Sequence, residues 1–345
     1  MLSFISRPLR LALNPYIGYR RYAMCLLVLS TLDVITFPSP RAEAQAASPF
    51  TEESSELWRQ LVSQPRWVFL GDSNTYSGGY VAILDAWLEK LDKRPELLNL
   101  GVSSETASGL SEVDHPFKRP CVHERIDKLL SMLQPNVVFA CYGMNDGIYQ
   151  PHSEENLAEY RDGMLKLAQK VQKSGAMLIV ITPPMFEPGP VKKRGKLGPT
   201  DTGRYAYFAP AADYDSVLEK QAQWCLKNEY QALKVIDIRE PLRSEKRLFR
   251  GEDPDFNYSG DGVHFGMVAH AIVAESILEG LGAPPSVIAA YPQDDAIQSA
   301  RKKMLLLRDA HLSATGKNRP GLPAGQPVWL AERLATQIDR EDDSP

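Results

Sequence analysis

The segment VFLGDSN, residues 68–74, joins a short apolar run to a Gly–Asp–Ser turn. Residues 67–70 are apolar throughout, which is typical of a strand that is covered on both faces. Glycine, aspartate and serine all favour turns, so we expect the chain to leave this strand at Gly71. Ser73 in that turn is a candidate nucleophile, because a serine hydroxyl becomes reactive when a base lies beside it.

Strand and helix patterns alternate along the rest of the chain. The further predicted strands lie at 97–100, 136–141, 176–181 and 233–238. Segments with helical periodicity lie at 80–91, 122–133, 154–173, 214–228 and 267–281. This alternation predicts an α/β fold with a parallel sheet between helices. Residues 186–210 and 251–262 are rich in loop-forming residues, and we predict loops there.

The composition is that of an ordinary globular protein. The chain has 345 residues, of which 43% are hydrophobic and 24% are charged, with a net charge of -4. Such a charge gives no basic field for a nucleic-acid partner. The sequence contains no dinucleotide-binding, P-loop or HExxH pattern. It also contains no Gly-x-Ser-x-Gly elbow, which excludes the α/β-hydrolase class of serine enzymes.

The N-terminal residues 1–46 have the pattern of an export signal. Basic residues precede an apolar core at 23–32, and small residues follow it. We predict a signal peptide that is cleaved after Ala46, and therefore a periplasmic or extracellular protein. The apolar run is interrupted by Asp33 and falls short of the about 20 residues that cross a bilayer. An uncleaved segment that anchors the protein to a membrane is the alternative, and a buried N-terminal helix is a third interpretation.

His264 is the candidate base among the six histidines. Asp261 precedes it by three residues across Gly262, so one turn can present both side chains to the same pocket. In a serine hydrolase the imidazole takes the hydroxyl proton and returns it to the leaving group, while the aspartate fixes its tautomer. The plainer interpretation of this pair is a turn followed by the first residues of a helix.

Gly101 and Asn145 are candidates for stabilising a negatively charged oxygen. Both follow predicted strands, and ligands of parallel sheets bind beyond the carboxyl ends of the strands. A glycine lets a backbone N–H approach a ligand closely, and an asparagine amide adds a side-chain donor. Taken singly, Gly101 is also explained as a turn glycine, and Asn145 as a helix cap or turn residue.

Taken together, these residues resemble the SGNH hydrolases, also called GDSL-type lipases or acylhydrolases. The matching blocks follow in order over residues 67–281: Gly71-Asp72-Ser73, Gly101, Gly143-Met144-Asn145-Asp146 and Asp261-Gly262-Val263-His264. The resemblance implies a flavodoxin-like, three-layer α/β/α sandwich with about five parallel strands. It also implies a triad of Ser73, Asp261 and His264, without a cofactor or metal. By the same likeness, the oxyanion hole consists of the backbone N–H groups of Ser73 and Gly101 and the Asn145 amide.

One residue departs from the family pattern. Family members often carry a proline after the histidine, where this chain has Phe265. The change leaves the triad residues in place and alters the wall of the expected pocket.

Three parts of the chain are expected: the signal peptide at 1–46, an SGNH hydrolase domain at 50–284 and a helical C-terminal extension at 285–345. The resemblance does not cover the extension, for which packing on the domain, oligomer contacts and a lid are all open. We predict an exported serine ester hydrolase that acts on a small-molecule or polysaccharide ester, with a lean towards short acyl groups on carbohydrate. The alternatives are a lipase- or lysophospholipase-type acylhydrolase, a carbohydrate-binding protein and an acyltransferase.

The four cysteines include no CxxC pair. Cys25 lies in the predicted leader, which leaves three in the mature chain. A bridge between Cys121 and Cys141 is one interpretation, and buried free thiols are the other.

Overall fold

The computed structural model describes residues 52–317 and 319–342. The predictions for residues 1–46 lie outside the described residues. Five parallel strands form one sheet in the order β2-β1-β3-β4-β5. The strands are β1 (Arg66–Gly71), β2 (Glu96–Asn99), β3 (Val137–Cys141), β4 (Met177–Ile181) and β5 (Lys234–Ile236). This is the flavodoxin-like order, and it confirms the predicted α/β fold.

The described helices follow in chain order. They are α1 (Glu52–Val62), α2 (Ser73–Ser77), α3 (Gly79–Leu88), α4 (Ile126–Leu133), α5 (Glu154–Lys173), α6 (Pro188–Lys193), α7 (Tyr214–Lys227), α8 (Arg239–Glu252), α9 (Met267–Gly280), α10 (Pro285–Ala289), α11 (Asp294–Thr315) and α12 (Val328–Asp342). Helices α1, α3 and α9 cover one face of the sheet, and α4, α5 and α7 cover the other.

Alternate residues of the central strand face opposite cores. Trp67 and Phe69 of β1 pack into the core beneath α3 and α9, whereas Val68 and Leu70 pack into the core beneath α4 and α5. Phe69 stacks on Phe139 of β3 with ring centroids 4.5 Å apart. Two buried faces explain why this strand is apolar without alternation, as the sequence indicated. The same packing fixes the point at which the chain leaves the sheet towards Ser73.

Several segments differ from the sequence-based prediction. Helices α1 and α8 were not predicted, and the strand predicted at 233–238 is limited to Lys234–Ile236. Residues 186–210 were predicted as a loop, but they include the short helix α6, whose first residue is Pro188. Proline is favoured at the first helical position because its fixed φ suits the helix and its missing N–H is not needed there. Residues 122–133 were predicted as one helix, but they form a 3-10 turn at Val122–Glu124 followed by α4.

The C-terminal extension packs on the hydrolase domain. The apolar face of α11 is buried against α3 and β2. Arg308 reaches helix α2, where it donates a hydrogen bond to the carbonyl of Tyr76 at 2.6 Å and lies 3.8 Å from the Tyr76 ring centroid. The extension therefore contacts the helix that begins with Ser73.

Two further expectations bear on the described residues. Cys121, Cys141 and Cys225 are free thiols, so the bridge between Cys121 and Cys141 is not formed. Across 52–317 and 319–342, no helix has an apolar run of the length that crosses a membrane.

Candidate active site

The turn that carries Ser73 is built by the residues on either side of it. Asp72 caps helix α2 by accepting a hydrogen bond from the Asn74 N–H at 3.0 Å. A glycine is required at position 71 because the end of β1 lies close to the end of β3, and a Cβ at Gly71 would lie 2.7 Å from the Cys141 carbonyl oxygen. Ser73 is the first residue of the helix, so its N–H has no partner within the helix. The turn thus presents both the hydroxyl and the N–H of Ser73 at the carboxyl end of β1.

The structure brings the three predicted triad residues together. His264 Nε2 lies 2.9 Å from Ser73 Oγ, and His264 Nδ1 lies 2.7 Å from Asp261 Oδ2. Both distances are within the range in which a base can accept a hydroxyl proton and be oriented by a carboxylate. The arrangement can therefore support nucleophilic catalysis by the serine.

The aspartate and histidine shift each other's pKa. The hydrogen bond to Asp261 raises the pKa of His264, against the opposing effect of burial. Burial would raise the pKa of Asp261, but hydrogen bonds from the His264 ring and from two backbone N–H groups hold it well below its usual range. Those N–H groups belong to Val263 and His264 and lie 2.9 and 2.8 Å from Asp261 Oδ1. Asp261 is therefore an ionised acceptor, as a partner of an imidazolium must be.

Asn74 ties the histidine segment to the serine turn, a contact that sequence analysis missed. Its Nδ2 donates to the Val263 carbonyl and its Oδ1 accepts from the Phe265 N–H, each at 3.0 Å. Asn74 is buried, and the two bonds hold the residues on both sides of His264. The position of Asn74 directly after Ser73 was the only signal in the sequence that could have pointed to it.

Glu187 holds the start of the same loop. Its buried carboxylate accepts from the backbone N–H groups of Tyr258 and Ser259, at 3.3 and 2.7 Å, and also pairs with Lys246. Its own N–H donates to the Gly262 carbonyl at 2.9 Å. Gly262 has a φ of 90°, and a Cβ there would lie 2.6 Å from the Glu187 carbonyl oxygen. The loop with Asp261 and His264 is thus fixed by polar contacts with residues from distant parts of the chain.

Asn145 lies in the turn after β3, close to the loop that follows β2. Its Nδ2 donates to the Glu105 carbonyl at 3.2 Å, and its Oδ1 accepts from the Tyr149 hydroxyl at 3.1 Å. The next residue, Asp146, uses Oδ1 to accept from the N–H groups of Ala107 and Ser108, both at 2.8 Å. The Asn–Asp pair therefore joins the turn after β3 to the loop after β2.

The backbone N–H of Gly101, the predicted oxyanion donor, has a partner within the protein. This N–H donates to Asn99 Oδ1 at 3.0 Å, and an oxyanion donor has to be free to bind the substrate oxygen. A Cβ at Gly101 would lie 2.5 Å from the Tyr76 nitrogen, so the glycine lets the end of β2 pack closely on α2. The role of Gly101 as a donor stays a prediction, and the bond to Asn99 weighs against it.

Two other ionisable groups near the turn were not assigned roles. Burial raises the pKa of Asp72 to about 7, and the nearby Asp146 adds to this effect. Burial lowers the pKa of His270 to about 4, so this histidine is neutral at pH 7, with Nε2 3.3 Å from Ser77 Oγ. Within 52–317 and 319–342, no His, Cys, Asp and Glu side chains are grouped closely enough to hold a metal ion.

Residues 69–272, more than half of the chain, match the profile of the GDSL-like Lipase/Acylhydrolase family. The chain belongs to this family. As a GDSL family member it is a carboxylic ester hydrolase, which confirms the class of enzyme that the sequence motifs predicted.

Several solved structures are similar to this GDSL family member at low sequence identity. An acetylxylan esterase from Geobacillus stearothermophilus is 20% identical, with a TM-score of 0.43 over 64% of this chain and 96% of that chain. The psychrotrophic esterase EstA from Pseudoalteromonas sp. is 16% identical, with a TM-score of 0.40 over 63% of this chain and 96% of that chain. A putative acylhydrolase from Bacteroides fragilis is 13% identical, with a TM-score of 0.38 over 71% and 98%. No curated protein matches the sequence.

Proposed function

We propose that this enzyme is an exported serine esterase that uses Ser73 as its nucleophile. The observation that carries the proposal is the hydrogen-bonded line from Asp261 through His264 to Ser73, with distances of 2.7 and 2.9 Å. The proposal of export rests on the signal-peptide pattern of residues 1–46.

In the proposed reaction, His264 Nε2 takes the proton of Ser73 as Oγ attacks the ester carbonyl carbon. The negative charge on the carbonyl oxygen is stabilised by the Ser73 N–H and the Asn145 amide. The imidazolium then gives its proton to the leaving alkoxide, and an acyl-enzyme forms. Water, deprotonated by His264, attacks the acyl-enzyme and releases the acid and free Ser73. Gly101 adds a third donor only if its N–H leaves Asn99.

The proposed substrate carries a short acyl group on a carbohydrate. Two loops border the site, at 102–121 next to Asn145 and at 186–210 next to the His264 loop. They meet through an ion pair between Arg204 and Asp114, 2.7 Å apart. The proposal of a short acyl group on a hydrophilic alcohol rests on the sequence of these loops, neither of which is a long apolar segment of the kind that a lipid-binding lid would need.

The first experiment measures hydrolysis of p-nitrophenyl esters of increasing acyl length. We expect the highest rate with acetate and loss of activity in Ser73→Ala. Ser174→Ala is the matched control, because its hydroxyl only bonds the Val171 carbonyl at the end of α5. Hydrolysis that survives Ser73→Ala would exclude the proposed nucleophile.

Other outcomes separate the alternatives. A maximum at long acyl chains would favour a lipase-type acylhydrolase. Transfer of the acyl group to an added sugar, seen in product analysis, would indicate an acyltransferase. Binding to polysaccharide without cleavage of any ester would contradict an enzymatic role. For export, we expect the mature protein to begin at Ala47, as N-terminal sequencing of the secreted material would show.

A further inference from the structure

Two consecutive residues after the Asn145 turn have a left-handed backbone. Ile148 has a φ of 45° and Tyr149 a φ of 59°. A positive φ is unusual for any residue with a side chain, and for a β-branched residue such as Ile148 it is a genuine outlier. Strain of this kind persists only where the surrounding structure fixes it, and it is concentrated at functional sites.

The strained backbone places the Tyr149 ring in a closed pocket. The ring stacks on Tyr214 with centroids 4.9 Å apart and an angle of 21° between the planes. The guanidinium of Arg119 lies 5.5 Å from the Tyr149 centroid. Arg119 is itself held by two hydrogen bonds to the buried Glu112 carboxylate, at 2.5 and 2.6 Å. Tyr149 therefore has little freedom to move, and its hydroxyl points at Asn145 Oδ1.

The contacts of Asn145 determine which way its amide faces. The Glu105 carbonyl can only accept, so the atom of Asn145 that faces it must be the Nδ2 donor. The Tyr149 hydroxyl then donates to Oδ1. Burial raises the pKa of Tyr149 well above its usual range, so the hydroxyl keeps its proton at neutral pH. The second Nδ2 hydrogen is bonded to no described residue. In the proposed reaction, Nδ2 donates this hydrogen in a hydrogen bond to the oxyanion.

We propose that Tyr149 is a positioning residue that holds the Asn145 amide in the orientation needed to stabilise the oxyanion. The inference rests on the proposed serine-esterase function. Tyr149 touches no reacting atom, and it acts through Asn145 Oδ1. Because the oxyanion exists only along the reaction, a disordered amide lowers the rate of the chemical step and leaves substrate binding unchanged.

The test is a double-mutant cycle between Tyr149→Phe and Asn145→Ala, measured as kcat and KM on p-nitrophenyl acetate. Tyr149→Phe keeps the ring and removes one hydrogen bond, and we expect kcat to fall about tenfold with KM unchanged. Asn145→Ala removes the donor, and we expect kcat to fall about 100- to 1000-fold. In the Asn145→Ala background, Tyr149→Phe should have no further effect, because there is no amide left to orient.

Tyr230→Phe is the matched control. Tyr230 is also a buried tyrosine, and its hydroxyl donates to the Cys225 carbonyl at 2.9 Å near the C-terminal end of α7, whereas Tyr214 is the first residue of that helix. It should lower the melting temperature as Tyr149→Phe does, without lowering kcat. Measuring thermal unfolding of every variant keeps the kinetic comparison below each melting temperature.

Three results would overturn the inference. They are a wild-type kcat in Tyr149→Phe, a loss that appears in KM instead of kcat, and multiplicative losses in the double variant. Failure of the proposed function itself gives a different result, because ester hydrolysis would then persist in Ser73→Ala. A tetrahedral phosphonate analogue gives a second measurement, and we expect its affinity to fall by the same factor as kcat.

Discussion

The site has two sides that the chain holds in different ways. The base side, which consists of Asp261 and His264, lies on a loop, and these side chains are 40% and 54% exposed. The proposed oxyanion side, with Asn145 and the predicted donor Gly101, lies after strands β3 and β2 and is buried.

Asn145 lies in the turn after β3, and its amide is held by the Glu105 carbonyl and the Tyr149 hydroxyl. The base side lies on a loop that does not directly follow a strand, and this loop is held by Asn74 and Glu187 from distant segments.

This difference shows where the geometry of the site is vulnerable. On the oxyanion side, Asn145 lies in the turn that follows the buried strand β3, and a substitution there removes one donor. On the base side, a few buried hydrogen bonds, above all those of Asn74 and Glu187, decide whether His264 faces Ser73. We therefore expect larger losses of activity from the base side than from the oxyanion side.

The largest difference is expected between His264→Ala and Asn145→Ala. Loss of the base should lower kcat by about 10⁶-fold, because the serine cannot be deprotonated. Loss of one oxyanion donor should lower kcat by only about 100- to 1000-fold. Steady-state kinetics on p-nitrophenyl acetate measures both, and His152→Ala, whose ring pairs with Glu154 on the surface, is the control. Equal losses of kcat from the two substitutions would contradict the expectation that the base side contributes more to the rate than the oxyanion side.

The parts of the fold and site that the sequence predicted are those that depend on local pattern. The apolar run before Gly71 predicted β1, and the helix at 154–173 has the predicted bounds. The order of the motifs along the chain identified Ser73 and His264 as candidates, and the structure places His264 Nε2 2.9 Å from Ser73 Oγ. The end of a strand can be predicted in this way because the apolar run of the strand and the turn residues that follow it are adjacent in the sequence.

The contacts that hold the base side were not predicted. Asn74 bonds residues that are 189 and 191 positions away, and Glu187 bonds residues about 70 positions away, so no local period reveals them. Gly101 was predicted from its place after a strand, but the Asn99 side chain occupies its N–H. Such side-chain contacts depend on the tertiary fold, which a single sequence pattern does not specify.

Asn74→Ala tests the base side without touching the triad. Removal of the amide frees the backbone on both sides of His264, and a displaced base should lower kcat by up to about 100-fold. Asn228→Ala is a matched control, since its amide makes the same pair of bonds, to the N–H and carbonyl of Ala232, away from the site. Both variants should lose stability, and only Asn74→Ala should lose kcat. A normal kcat in Asn74→Ala would show that Glu187 and the rest of the loop suffice to place His264.

A smaller effect, a several-fold change in kcat/KM, is expected when the pH is varied around the pKa of His264. His264 must be neutral to accept the serine proton, so activity falls as the pH drops through its pKa. Because the bond to Asp261 raises that pKa, the acid limb of kcat/KM should lie above the ordinary histidine value of about 6.5. In Asp261→Asn, whose remaining activity will be low, the limb should move to lower pH. If the acid limb of the kcat/KM profile does not move in Asp261→Asn, a group other than His264 determines it. Asp72, with a pKa of about 7, is the first candidate, and Asp72→Asn would test it.

The smallest effect on activity is expected from the C-terminal extension. Arg308→Met removes the bond to the Tyr76 carbonyl and the contact with the Tyr76 ring, and should lower the free energy of unfolding by about 2 kcal/mol. Chemical denaturation measures this loss, and Lys302→Met, on the exposed face of α11, should cost less. We expect kcat to stay at the wild-type value, because the Asp72 cap and the left-handed Gly78 already fix both ends of α2. If Arg308→Met lowered kcat as much as Asn74→Ala, α11 would hold the site in place together with Asn74 and Glu187. The serine turn would then depend on packing by a helix outside residues 69–272, which match the family profile.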